Sequence, residues 1–135
     1  MRTDAFFYGL YMDEAVLAAS GVSPQHGRKA RLDGFALKIG KRATLVREKG
    51  ASAWGMVYAL TDDDLGKLYG APGLEAYRPE MVEVALENRA IVPATVYNLP
   101  AAPAPDERNP DYVAKLKAAM TRLGLPADYI ARIEG

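Results

Sequence analysis

ATLVREKGASAWGMVYAL, residues 43–60, carries two strand signals around a turn signal. ATLVRE is rich in apolar and β-branched residues, and EKGAS supplies the glycine and small residues of a turn. SAWGMVYAL is apolar almost throughout. A strand without a polar face must be covered on both sides, so Trp54 to Leu60 is expected to run through the middle of a sheet. The neighbouring segments are strand-like too. RKARLDGFALKI (28–39) alternates loosely, with Ala30, Leu32, Phe35, Leu37 and Ile39 apolar and Gly34 marking a bulge. AYRPEMVEVAL (76–86) and AIVPATVYNL (90–99) follow, joined by a turn at Glu87, Asn88 and Arg89. Pro79 and Pro93 each remove a ladder donor and belong at strand starts, bulges or edges.

Helical signals flank this strand-rich middle. A short amphipathic helix is expected near 13–20, ending at Gly21. In TDDDLGKLYG (61–70), Thr61 caps a helix and three aspartates favour its positive N-terminus. PAAPAPDERNP begins a surface linker over 100–109. Asn109 as N-cap, Pro110 at the first helical position and Gly124 as the stop then bound a longer helix with the apolar stripe Val113, Leu116, Met120, Leu123. PADYIARIEG adds a final turn or two. The chain is α+β and fits a single domain over residues 1–135.

Composition narrows the function classes. Seventeen basic and seventeen acidic residues cancel, with a pI near 6.6. That argues against nucleic acid or an anionic membrane as partner, because either favours a basic surface. No apolar run reaches the roughly 18 residues of a membrane span, and the N-terminus meets acid too early for a secretory leader. With no cysteine, thiol catalysis, disulfides and cysteine-ligated metals are excluded. The expected location is cytoplasmic. His26 is the single histidine and lies in the turn-like SPQHGRK, with no catalytic partner identifiable and a poor prospect as a zinc ligand. No cofactor or metal is expected.

FFYGLYMDEAVL (6–17) begins as a strand, turns at Gly9 and feeds a helix, yet Gly9, Leu10, Tyr11 and Met12 carry no ionised side chain. Such a stretch is either a tight strand-to-helix turn or a loop that binds with its backbone. The order of elements favours the second reading, because it resembles the γ-glutamylcyclotransferase-like (AIG2-like) family nearly end to end. The likeness rests on Tyr8-Gly9-Leu10 as a YGS-type loop, and on Ala30, Arg31, Leu32, Phe35 and Leu37 as an ARLxxFxL strand. ATLV before WGMVY (54–58), the late strand ATVYNL and the GLP-x-x-Y pattern at 124–129 complete it.

The resemblance implies a mostly antiparallel small β-barrel or strongly curved sheet with peripheral helices. It implies a pocket for a small γ-glutamyl or other carboxylate-bearing ligand, lined by Tyr8, Gly9, Leu10, Tyr11, Met12, Tyr77 and Tyr97, with backbone N–H groups of Gly9 to Met12 facing the ligand. Leu10 replaces the family's small polar residue.

It also implies a reaction. The α-amine of a γ-glutamyl unit attacks its own γ-carbonyl, closes 5-oxoproline and expels an amine, with a glutamate just before a glycine moving the proton. Aligning that glycine with Gly73 of KLYGAPGLEAYRP puts Pro72 in the acid's place. Glu75 is then the nearest surrogate, or else an exposed loop glutamate. Glu80 and Glu83 flank a strand, with Glu83 expected to face solvent. Tyr77 and Tyr97 are either pocket residues or strand packing. Lys38, Lys41, Arg42, Arg47 and Lys49 read as a solvated face. Three functions stay open: a cyclotransferase, a non-catalytic small-molecule binder, and an interaction protein whose C-terminal helices pair with another chain over a vestigial pocket.

Overall fold

The computed structural model describes residues 2–72, 74–104 and 106–133. Five strands close into a barrel: β1 (Arg2–Phe7), β2 (Gln25–Ile39), β3 (Ala43–Thr61), β4 (Arg78–Leu86) and β5 (Ile91–Asn98), in the order β1-β3-β2-β4-β5. Every pairing is antiparallel except the closing contact, where Ala5 of β1 meets Thr95 of β5 in parallel. The mostly antiparallel barrel expected from the sequence is the fold observed.

β3 lies between β1 and β2, and its Met56, Val57, Tyr58 and Leu60 are all buried. That is the central placement the apolar run demands. Gly55 permits the closest approach in the sheet. A β-carbon there would overlap the carbonyl oxygen of Phe7 on β1. Phe6, Phe7, Leu60, Val57, Val84 and Val96 form the tightly buried interior.

EKGAS does not break the strand, as its turn signal predicts; β3 continues from Ala43 to Thr61. The register shows why. Asp33 pairs with Ser52, but Phe35 pairs with Arg47, so residues 48–51 are taken up opposite Gly34. Gly34 and Gly50, at φ 86° and 85°, absorb the excess as a bulge of the kind expected at Gly34.

Among the described residues four α-helices decorate the barrel: α1 (Glu14–Ala19), α2 (Asp62–Tyr69), α3 (Pro110–Leu123) and α4 (Ala127–Ala131). Their ends follow the expected caps. Thr61 Oγ1 accepts from the Asp64 amide at 3.1 Å, and Asn109 Oδ1 accepts from the Tyr112 amide at 3.2 Å. Gly124 closes α3 in the left-handed conformation. Leu116 and Met120 of α3 are fully buried against the rest of the chain, and Val113 and Leu123 of the same stripe are half-buried. The linker before α3 is pinned to the β2–β3 turn, where the Glu107 carboxylate accepts from the amides of Ala104 (2.6 Å) and Lys41 (3.2 Å). No helix among the described residues is long and apolar enough to cross a membrane.

Candidate functional site

The site begins where β1 ends. Gly9 is extended (φ −110°, ψ −156°), a single 3-10 turn spans Leu10–Met12, and Asp13 caps α1 by accepting from the Ala15 amide at 3.0 Å. Two of the four loop amides are already used. Met12 N–H donates to the Gly9 carbonyl at 2.9 Å, and Leu10 N–H donates to the Tyr112 hydroxyl at 3.2 Å. The amides of Gly9 and Tyr11 have no hydrogen-bond partner among the described residues. The expected row of four donors is therefore two, because a 3-10 turn bonds its own third residue back to its start.

This loop walls a cavity of about 350 Å³, near the lower end of ligand-pocket sizes. Tyr8, Gly9, Leu10, Tyr11 and Tyr77 line it as the sequence suggests. Met12 does not; it is fully buried beneath the loop, its carbonyl accepting from the Tyr58 hydroxyl at 2.7 Å. Tyr97 stands one layer back. Its ring stacks on Tyr69 with centroids 3.8 Å apart, and its carbonyl accepts from the Tyr8 hydroxyl at 2.6 Å. Phe7, Tyr69, Tyr112, Leu74, Val16 and Ala43 also line it, and none of these six was named as a site residue from sequence.

The tyrosine hydroxyls are neutral throughout the physiological range. Burial drives the Tyr8 and Tyr69 phenols well above their ordinary pKa, and neighbouring tyrosines add to the shift. Tyr77 and Tyr112 are raised for the same first reason. Groups in this state can form hydrogen bonds but do not ionise near neutral pH. The Tyr77 hydroxyl is itself held by the Ala43 carbonyl.

Lys41 and Arg42 supply the charge. Both sit in the β2–β3 turn, both line the cavity, and neither forms an ion pair with the described residues. The other basic residues of that stretch divide differently. Lys38 pairs with Glu48 and Arg47 with Glu80. The sequence signal for the split was available: GKRA places two adjacent cations at a turn, where side chains need not alternate across a sheet.

A sequence model of the family described as "Gamma-glutamyl cyclotransferase, AIG2-like" matches residues 5–115. The chain belongs to that family. No curated protein sequence matches it. Among solved structures, a gamma-glutamyl cyclotransferase superposes with a TM-score of 0.83 at 20% identity, covering 99% of this chain and 89% of the other. The uncharacterized protein loc79017 from Homo sapiens gives 0.82 at 22%, covering 98% and 88%. An AIG2-like protein from Mus musculus gives 0.56 at 17%, covering 93% and 84%.

In this cyclotransferase-like chain no described cavity-lining residue is a carboxylic acid. Glu75 is exposed and does not line the cavity, although its neighbour Leu74 does; the Glu75 carbonyl accepts from Arg78 at 2.6 Å. Pro72 is exposed as well, and Gly73, on which its alignment rests, lies outside the described residues. A second residue-before-glycine pair stands nearby. Tyr69 ends α2 immediately before Gly70, and Tyr69 does line the cavity. Glu83 is exposed on β4, as expected, and Glu80 is held by Arg47 and Asn98. His26 is exposed at the start of β2.

Proposed function

We propose that this member of the family binds a small carboxylate ligand in the tyrosine-lined cavity and cyclises γ-glutamyl substrates slowly or not at all. The observation that carries the reading is the wall's composition: Lys41, Arg42 and the two unpartnered amides supply positive potential, with no acid among the described lining residues. A carboxylate suits the first feature. The second removes the proton carrier that internal aminolysis requires, and a phenol held above its ordinary pKa cannot replace it at neutral pH.

Tyr69 supports the same reading from its position. It stands on the wall where the family acid is expected relative to its glycine, and it presents a ring rather than a carboxylate. A second reading, residual cyclotransferase activity through Glu75, draws on the adjacency of Glu75 to the wall residue Leu74.

Two measurements on the same preparation test the proposal. Small carboxylic acids are titrated by calorimetry, and γ-glutamyl amines and dipeptides are incubated with the protein while 5-oxoproline is followed by mass spectrometry. Saturable acid binding with negligible cyclised product is the expected result. Turnover at ordinary enzymatic rates, on the order of 1 s⁻¹ or faster, overturns it.

A further inference from the structure

We propose that Glu107 and Asn109, two linker residues outside the cavity wall, set its affinity for acids by positioning the turn that carries Lys41 and Arg42. The proposal rests on the carboxylate reading above and adds how the charge of that site is held in place.

Gly40, Lys41 and Arg42 form the turn beyond Ile39 and Ala43, the last pair of the β2–β3 ladder. Adjacent side chains on a strand point to opposite faces, so two consecutive cations on one cavity require a particular turn backbone. The turn contributes its own bond from Gly40 N–H to the Arg42 carbonyl at 3.0 Å. The linker supplies more. Glu107 Oε1 accepts from Lys41 N–H at 3.2 Å, and Asn109 Nδ2 donates to the Lys41 carbonyl at 3.1 Å. Both backbone polar groups of Lys41 are therefore held by side chains 66 and 68 positions away.

The other Glu107 oxygen accepts from Ala104 N–H at 2.6 Å, which ties the carboxylate to its own segment. The Ala104 and Lys41 amides hold the Glu107 carboxyl below its ordinary pKa, so the charged form grips the turn at neutral pH. That charge goes to backbone amides. Glu107 forms no ion pair with Lys41 or Arg42 among the described residues. Packing agrees with the hydrogen bonds: a β-carbon on Gly40 would stand 2.5 Å from Pro103 Cβ and 3.0 Å from Glu107 Cβ, so the linker lies directly on the turn.

The same segment reaches the loop after β1. Asn109 Oδ1 caps α3 by accepting from Tyr112 N–H at 3.2 Å, and the Tyr112 hydroxyl accepts from Leu10 N–H at 3.2 Å. Asn109 thus serves the helix with its oxygen and the turn with its nitrogen. Long cationic side chains lose rotamer freedom on binding, and a turn already fixed in the binding geometry lowers the ordering cost. Released from the linker, the turn keeps both charges and loses their common direction.

The divided role of Asn109 supplies the test. Serine is also a strong N-cap but lacks the amide nitrogen that reaches the Lys41 carbonyl, so Asn109→Ser keeps the α3 cap and frees the turn. Glu107→Gln keeps the size of the side chain and turns a donor toward one of the two amides. Butyrate, a small monocarboxylate, is titrated into the ¹⁵N-labelled full chain, the two linker variants, Arg42→Gln, and Asn109→Ser combined with Arg42→Gln. Affinities are read from amide shifts, and melting temperatures are measured alongside. Each linker variant is expected to weaken butyrate binding by about threefold or more, with the melting temperature of Asn109→Ser within about 2 °C of native. In the Arg42→Gln background the Asn109→Ser loss should shrink, because the linker acts through that cation. Native affinity in both linker variants overturns the proposal while leaving the carboxylate reading intact, and so does an equal Asn109→Ser loss with and without Arg42. No saturable butyrate binding by the native chain overturns the carboxylate reading, and the proposal with it.

Discussion

The Tyr112 hydroxyl on α3 accepts the Leu10 amide at 3.2 Å and occupies the space that a β-carbon on Gly9 would need. One phenol thus fixes both the backbone shape of the candidate ligand loop and the identity of the residue at its turn. Removing only the oxygen, in Tyr112→Phe, leaves the ring packed and the Leu10 amide unpaired. We expect a loss of about 1 kcal/mol in urea denaturation, and faster hydrogen exchange at Leu10 than at the Met12 amide, which keeps its Gly9 partner.

Gly9→Ala should weaken acid binding and lower stability, and Gly9→Val should do so more severely. The clash is with a hydroxyl oxygen, so combining Gly9→Ala with Tyr112→Phe should recover part of the loss. A double-mutant cycle measures that coupling, which is expected to be favourable by roughly 0.5–1 kcal/mol. Strict additivity would place the strain elsewhere in the loop.

The barrel could be read from residue pattern because periodicity and caps are local properties. SAWGMVYAL declared its central place, and Thr61, Asn109 and Gly124 declared helix ends that the structure keeps. EKGAS misled for a physical reason: a bulge and a turn use the same glycine chemistry, and only the partner strand decides between them. The cavity was half legible. Its loop follows from YG before a helix, and Tyr77 from its strand entry. Tyr112 reaches the site from 102 residues away, across a contact that no sequence period encodes. Lys41 and Arg42 looked like their neighbours Lys38 and Arg47 until the ion pairs separated them.

Alkaline pH should unfold this chain earlier than its neutral-pH stability suggests. All eight tyrosines have pKa values raised in the fold, with desolvation the first cause in each; Tyr58 and Tyr129 rise from the ordinary 10.0 to about 12. The unfolded chain releases these protons first. Stability is therefore fully present below about pH 10 and is lost as pH climbs toward and through the folded values. Thermal melts between about pH 9 and about pH 12, with tyrosinate absorbance followed in parallel, should show a falling midpoint and delayed ionisation in the folded state. A midpoint that stays level across this window contradicts the buried phenols.

Gly55→Ala is the barrel's sharpest stability test. Its β-carbon would overlap the Phe7 carbonyl oxygen, which is backbone and cannot rotate aside. The β1–β3 pair must then separate where Phe6 pairs with Val57 and Phe7 with Met56. We expect a loss of several kcal/mol or failure to fold, against less than about 1 kcal/mol for Gly66→Ala, where a β-carbon meets nothing within 4 Å and alanine is the better helix former.

The proton carrier gives the last prediction, and three substitutions separate its explanations. If the cavity lacks cyclotransferase activity because Tyr69 stands in the acid's place, Tyr69→Glu puts a carboxylate on the wall, where burial raises its pKa toward the working range of a general base. Restored proton transfer is worth about 10²–10⁴-fold, roughly 3–5 kcal/mol of barrier, less what misplacement costs. The variant will be less stable, since it loses the Tyr97 stack, and its fold is checked by amide spectra before rates are compared. Pro72→Glu should yield nothing comparable, because Pro72 is exposed and off the cavity wall. Glu75→Gln decides the remaining alternative. Activity in the native chain that disappears in Glu75→Gln, with acid binding unchanged, would make Glu75 the proton carrier and show that its loop moves to bring it to the cavity.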